Sequence, residues 1–221
     1  MRTYKLYLIR HGITDANRDG RYLGLTDLPL NAEGKREILS LISKCEYPKI
    51  QKVYSSPLRR ALETAKLIYP HSLIETVDDL KEYSFGIFEN KSIDELSNNS
   101  EYESWIDGHM SQPPKSGEDK KTFINRIAKG FNHLILDMMK NQIHEAALIS
   151  HGGVLSAILY MFGIPKRSPL AWATKPGRGY AVMTTVQMWT RDNMFEICDP
   201  IPYDQHVLKK QQYFNLNYNS N

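Results

Sequence analysis

Short apolar runs, too brief for helices, recur along the chain and alternate with stretches whose apolar residues return every three or four positions. Leu6-Tyr7-Leu8-Ile9, opened by Tyr4, reads as a buried strand that stops on Arg10-His11-Gly12. Asn31 is a suitable N-cap for a helix that carries Ile38, Leu39, Leu41 and Ile42 and ends near Cys45. Gln51 to Ser56 is a second strand. Pro57 then falls in the first turn of a helix carrying Ala61, Leu62, Ala65, Leu67 and Ile68 to about Tyr69. Leu73 to Val77 is a third strand. The order β-α-β-α-β predicts an α/β fold, a parallel sheet with helices on its faces.

Between Asp78 and Pro114 that rhythm breaks. The stretch is polar, rich in Asn, Ser and Glu, with scattered aromatics at Tyr83, Phe85, Phe88, Tyr102 and Trp105. It is expected to be an insert, roughly residues 78–118, lying over one end of the sheet, with short helices such as Ser92 to Leu96. The period of a long amphipathic helix then runs from Thr122 to Met139. Ala146 to Ile149 is a fourth strand, and the apolar helix Val154 to Phe162 ends at Gly163-Ile164-Pro165. Pro169 to Gly179 reads as a loop. Tyr180 to Trp189 and Met194 to Cys198 read as two strands joined by a turn at Arg191-Asp192-Asn193. Beyond Pro200 a short helix and a frayed end are expected. Without a repeat or a linker, residues 1–221 are expected to form a single domain.

Composition narrows the classes. Of 221 residues, 41% are hydrophobic and 24% charged, as in soluble globular proteins. With 28 basic against 25 acidic residues the charge is too balanced for a dedicated nucleic-acid binder. No run approaches the ~18 apolar residues of a membrane helix, and Met1 to Lys5 leads straight into the first strand, so a cytoplasmic protein is expected. Cys45 and Cys198 show neither metal nor redox spacing and are expected to be reduced bystanders.

Chemistry gathers where strands end. Arg10-His11-Gly12 places a permanent cation beside an imidazole on a permissive backbone, a setting suited to phosphate. Taken alone, the tripeptide reads more readily as an ordinary strand end with a surface Arg-His pair. Ser150-His151-Gly152-Gly153 repeats the arrangement, with a helix start to favour an anion. Ser55-Ser56-Pro57-Leu58-Arg59-Arg60-Ala61 sets arginines in the first turn of a helix, where the dipole opposes them unless an anion binds there. A solvated surface arginine fits one of Arg59 and Arg60 but hardly both.

Together with Glu82 in Leu80-Lys81-Glu82-Tyr83-Ser84-Phe85-Gly86, these motifs resemble the histidine phosphatase superfamily, in order from about residue 4 to residue 190. The resemblance implies a three-layer αβα sandwich with a mostly parallel sheet. It implies that His11 attacks phosphorus and forms a phosphohistidine, while Arg10, Arg60 and a protonated His151 hold the phosphoryl oxygens. Glu82 would protonate the leaving alkoxide and then deprotonate water, with a pKa raised under the aromatic insert. Asn17 resembles a family residue that donates its amide to phosphate, though a turn-forming Asn is the competing reading. Thr14, Arg21, Gly24 and Gly152 are further candidates for substrate binding. Pro113, Gly117 and Glu118 resemble a P-x-x-G-E-S stretch of the phosphatase branch, with Asp119 in place of serine. Glu118 either contacts the site or, as we prefer, begins the helix.

No cofactor and no metal are implied, the cations being built in, and His71, His109, His133, His144 and His206 read as filler. Glycolytic mutases of the superfamily carry a larger insert with a basic Arg-Arg pair; here the stretch from Glu82 to Gly117 is short, acidic and lacks it. The expectation is therefore a phosphomonoester hydrolase similar to the bacterial α-ribazole phosphatase and broad-specificity branch, with α-ribazole 5′-phosphate a candidate substrate. A cofactor-dependent phosphoglycerate mutase and a non-catalytic phospho-ligand-binding protein are the alternatives. Insert aromatics, Lys175 and Arg178 are candidates for reading the alcohol. The expected partner is a small-molecule phosphomonoester, with no nucleic acid or membrane, and the chain a monomer or homodimer.

Overall fold

A computed structural model of the chain describes residues 2–108 and 112–204. In chain order the elements are β1 (Thr3–Arg10), α1 (Asp15–Arg18), α2 (Ala32–Lys44), β2 (Cys45–Glu46), β3 (Lys52–Ser55), α3 (Arg59–Ile68) and β4 (Ile74–Thr76). The insert follows, with α4 (Ile93–Leu96) and α5 (Ser100–Asp107), then α6 (Lys120–Lys140), β5 (Glu145–Ser150) and α7 (Gly152–Phe162). The chain continues through β6 (Gly163–Ile164), β7 (Gly179–Thr185), α8 (Val186–Asp192), β8 (Phe195–Ile201) and β9 (Tyr203–Asp204).

Seven strands form one sheet in the order β4-β3-β5-β1-β7-β8-β6. Strands β4, β3, β5 and β1 pair in parallel, while β7 runs antiparallel to both β1 and β8. The continuous apolar runs have a physical reason: each central strand is covered on both faces. Side chains alternate across a strand, so Leu6 and Leu8 of β1 enter the core beneath α6 and α7. Tyr7 and Ile9 enter the core on the opposite face, with Ala61 and Ala65 of α3 and Ile38 of α2. In β5, Ala146 and Leu148 face one way, Ala147 and Ile149 the other. Complete burial of a side chain such as Leu8 contributes about 1.5–3 kcal/mol. The result is the expected three-layer α/β arrangement.

Several boundaries differ from the sequence pattern. The expected strand Tyr180–Trp189 leaves the sheet at Thr185, whose hydroxyl accepts the Met188 N–H and caps α8. Trp189 thereby packs against Phe131 and Phe162, and its indole N–H donates to Asn132 Oδ1 at 3.0 Å. Burying so large a ring outweighs the β-propensity of Val186. Asn193, in the left-handed region at φ 49°, reverses the chain where a hairpin turn was expected. Strand β8 continues past Cys198 to Ile201. Helix α3 starts at Arg59, so Pro57 precedes it rather than joining its first turn. The edge strand β4 is shorter than expected, and Leu73 is exposed. Where a short helix was expected beyond Pro200, β8 runs on to Ile201 and Tyr203–Asp204 pairs with β2. The rest of that stretch, residues 205–221, lies outside the described residues, as do His109 and His206. Cys45 and Cys198 are free thiols. Among the described residues, no helix is long and apolar enough to cross a membrane.

Most aromatics of the insert pack on one another. Phe88, Leu96, Tyr102 and Trp105 form a small core with Tyr22, Phe85 and Ile87 against them. Only Tyr83 and Phe85 among the expected ring contacts for a ligand remain half-buried; Phe88, Tyr102 and Trp105 are interior.

Candidate active site

Parallel pairing brings the two histidine motifs to one level. Arg10 lies opposite Ser150 in the β1–β5 register, and Ser55 of β3 lies opposite Ile149. His11 and His151 each follow by one residue, at the carboxyl edge of the sheet where α/β proteins bind ligands. Their rings meet edge to face with centroids 5.1 Å apart, and both are buried.

The tautomers follow from the partners. Nδ1 of His11 lies 2.7 Å from the carbonyl of Gly12, so it carries the proton and Nε2 keeps its lone pair. Burial, with the charges of Arg60 and Arg10 behind it, holds the His11 pKa well below the usual histidine value. The ring is therefore neutral at pH 7. His151 Nδ1 accepts from Arg60 Nε at 3.3 Å, which leaves the proton on Nε2 to donate to Ser56 Oγ at 2.7 Å. Burial and then Arg60 press its pKa well below the usual value too. Among the protein groups alone, burial first and then the adjacent guanidinium keep His151 neutral, whereas the sequence expectation is of a His151 protonated beside a bound anion.

Arg60 is wholly buried. Beyond His151 it donates to the carbonyls of Gly24 at 2.6 Å and Thr26 at 2.9 Å. Desolvation lowers its pKa to about 10, so it keeps its charge at neutral pH. Its neighbour Arg59 is solvated, and the Arg59 backbone N–H donates to Asp27 Oδ1 at 2.6 Å. That carboxylate supplies the anion which the start of α3 was expected to need from a ligand. Arg10 donates Nη1 to the Thr174 carbonyl at 2.7 Å, while its buried Nε has no protein partner among the described residues. Gly152, the first residue of α7, packs beside the Arg10 guanidinium.

Glu82 reaches the same place from the insert. Its Oε1 accepts the Tyr83 N–H and its Oε2 the Gly153 N–H, each at 2.9 Å. It keeps part of its surface accessible yet is deeply set, and loss of water outweighs those hydrogen bonds and the nearby arginines, raising its pKa. Arg10, His11, Arg60, Glu82 and His151 therefore share one site.

The remaining candidates divide. Asn17 Oδ1 accepts from the Thr14 N–H and Oγ1, closing a capping box on α1 and leaving the amide NH₂ as a donor. Thr14 is buried as that cap. Arg21 turns away from the site to a two-toothed ion pair with Glu95 and the Asn90 carbonyl, tying the chain to the insert. Gly24 offers its carbonyl to Arg60, and an added Cβ would come within 1.9 Å of the Tyr83 carbonyl. Glu118 neither begins α6, whose N-cap is Asp119, nor reaches the reacting groups; it pairs with Arg126 at 2.6 Å. Lys175 and Arg178 are exposed on a loop whose backbone brackets β1: the Arg178 carbonyl accepts the Arg10 N–H, and the Gly177 N–H donates to the Arg10 carbonyl.

Sequence reasoning missed Glu89, whose carboxylate accepts the N–H groups of Gly24, Leu25, Thr26 and Phe85 and the Thr26 hydroxyl. It therefore folds the loop whose carbonyls seat Arg60. An acidic residue after a helical turn carries no local sign of this. Among the described residues, no group of three or more His, Cys, Asp or Glu side chains is placed to hold a metal.

A desolvated neutral imidazole, two guanidiniums and a deep carboxylate at the edge of a parallel sheet form, in an α/β protein, a set of groups with the chemistry to hold a tetrahedral anion beside a nucleophile. The chain belongs to the histidine phosphatase superfamily: the family model for its branch 1 matches residues 6–190. It is 30% identical over 167 residues to the adenosylcobalamin/alpha-ribazole phosphatase of Escherichia coli strain K12, covering 73% of this chain and 80% of that protein. The alpha-ribazole phosphatase from Shigella flexneri superposes with a TM-score of 0.70 at 26% identity, over 88% of this chain and 94% of the other. A phosphoglycerate mutase from Bacillus anthracis strain Sterne reaches a TM-score of 0.71 at 21% identity, over 95% and 97%, a likeness of fold alone.

Proposed function

We propose that this chain hydrolyses a small-molecule phosphomonoester through a phosphohistidine on His11, without a metal, and that α-ribazole 5′-phosphate is its substrate. The observation that carries the reading is the Nδ1–H bond from His11 to the Gly12 carbonyl. It frees Nε2 for in-line attack on phosphorus, and the carbonyl stabilises the positive charge the ring acquires as the N–P bond forms. Arg10 and Arg60 balance charge on the phosphoryl oxygens. Glu82, its pKa raised, gives a proton to the departing alkoxide as the P–O bond breaks; it then takes one from the water that attacks the phosphohistidine. The chemistry of the substrate alcohol comes from the named relatives, whose phosphatase activity on alpha-ribazole derivatives is the supporting likeness.

A mutase is the weaker reading. Two lysines of the insert are already paired, Lys81 with Asp78 and Lys115 with Glu101, which disfavours a second phosphate on the substrate.

The test is a rapid acid-free quench during turnover of α-ribazole 5′-phosphate in a chelator. Acid-labile phosphate on His11, and release of inorganic phosphate at an undiminished rate, are expected. His11→Ala should lose activity on the order of 10⁴-fold or more, as removal of a covalent nucleophile does. A metal requirement, or an active His11→Ala enzyme, would overturn the mechanism. Rapid isomerisation of 3-phosphoglycerate would replace hydrolase by mutase.

A further inference from the structure

The segment that delivers Glu82 belongs to no strand or α-helix beyond a single 3₁₀ turn at Asp78–Leu80. Its backbone is nevertheless held at four consecutive carbonyls by side chains. Arg126 of α6 donates Nη1 to the carbonyls of Asp79 at 2.9 Å and Lys81 at 2.5 Å, and Nη2 to that of Glu82 at 2.8 Å. Ser150, the last residue of β5, donates its hydroxyl to the Leu80 carbonyl at 2.9 Å from the other side. The rest of the Arg126 fork meets Glu118, Nε to Oε1 at 2.6 Å and Nη2 to Oε2 at 2.8 Å. All five guanidinium N–H groups are thus engaged, and both side chains are largely covered. One turn along α6, Gly130 lets the segment approach: a Cβ there would stand 2.6 Å from Cβ of Asp79.

We propose that Arg126, oriented by Glu118, is a positioning residue for proton transfer by Glu82. The proposal rests on Glu82 being the general acid. The carboxylate hangs from the Glu82 backbone, and that backbone has no ladder to fix it. A planar fork with several donors in fixed directions can pin three carbonyls at once, which a lysine or a neutral side chain cannot. Misplacement of a reacting group by about 1 Å can cost on the order of 10²-fold. Within the site Arg126 makes its hydrogen bonds to the backbone that carries Glu82. Its charge also reaches His151 at longer range, an effect common to every substrate.

The consequence is a dependence on the leaving group. An alkoxide needs its proton; nitrophenolate leaves nearly unaided. Arg126→Met is expected to lower the single-turnover rate of phosphorylation, the step all these comparisons read, at least about 10-fold more for an alkyl phosphate than for nitrophenyl phosphate, with the half-saturating substrate concentration little changed. Arg126→Lys restores part of that gap, and Glu118→Gln, the milder variant should Arg126→Met fail to fold, opens a smaller one. In a Glu82→Gln background, Arg126→Lys should add no further leaving-group dependence, since the proton donor is already gone.

Equal losses on both substrates in Arg126→Lys and Glu118→Gln, with Glu82→Gln still selective for the alkyl phosphate, would overturn the positioning role alone. Glu82→Gln slowing both substrates alike would remove the general acid itself. A selective loss that persists in the Glu82→Gln background would place proton transfer on another group and also overturn the proposal.

Discussion

On the sheet side of the site, Arg10, His11 and His151 continue strands β1 and β5, whose parallel ladder sets their level to within a residue. On the insert side, Glu82 and Glu89 come from segments without a ladder. There the backbone is held by side chains: Arg126 and Ser150 grip residues 79–82, and Glu89 gathers the N–H groups of residues 24–26. The sheet half is buried and cationic, which depresses both histidine pKa values; the insert half carries the group whose pKa is raised. Lowering the one and raising the other favours an unprotonated imidazole together with a protonated carboxyl, which suits a nucleophile and an acid working at one pH. The sheet half should therefore serve every substrate equally, and the insert half should discriminate.

The largest effect after loss of His11 is expected at Arg60. Arg60→Ala should slow alkyl and nitrophenyl phosphates alike, by about 10²–10³-fold, because it removes charge stabilisation common to both. Single-turnover measurements with the two substrates check this; a loss confined to the alkyl phosphate would assign Arg60 to the leaving-group side.

Glu82→Gln comes next, at about 10²-fold in the phosphorylation step and on the alkyl phosphate only; dephosphorylation, where Glu82 activates water for either substrate, is followed separately by single turnover. Its pH signature has a definite sign. His11 is protonated, and activity lost, only as pH falls well below the usual histidine value. Glu82 must be protonated to act, and loses its proton as pH rises through a pKa raised above 4.5. The expected profile of kcat/KM for an alkyl phosphate is a bell that falls in acid as His11 is protonated and in alkali as Glu82 loses its proton. In Glu82→Gln the alkaline limb should vanish; a limb that stays belongs to some other group.

Glu89→Gln should be smaller and of another kind. It unsettles donors around the loop that seats Arg60, and leaving such donors unpaired costs about 1–3 kcal/mol, read as a lower denaturant midpoint. KM should rise for both substrates together, since the carbonyls of Gly24 and Thr26 hold Arg60. A leaving-group-selective defect would join Glu89 to Glu82 and blur the division between the two walls.

The amino-acid sequence by itself carries the sheet half. Apolar runs such as Leu6–Ile9 and Ala146–Ile149 are written for strands covered on both faces, and the residues that follow a strand are placed by it. Local chemistry of this kind is legible because its causes lie within a few residues. The insert half is not written locally. Arg126 lies 44 residues from the Glu82 carbonyl it binds, and Glu89 lies 65 from the Gly24 N–H it accepts. Nothing in the helical period of α6 distinguishes Arg126 from a solvated arginine. The same holds for Thr185 to Trp189, where β-favouring residues form a helix because the Trp189 ring is buried against Phe131 and Phe162. Which cation is neutralised, which carboxylate is dried and which carbonyl finds a donor were decided by tertiary structure, because desolvation and directed hydrogen bonds exist only once distant segments meet.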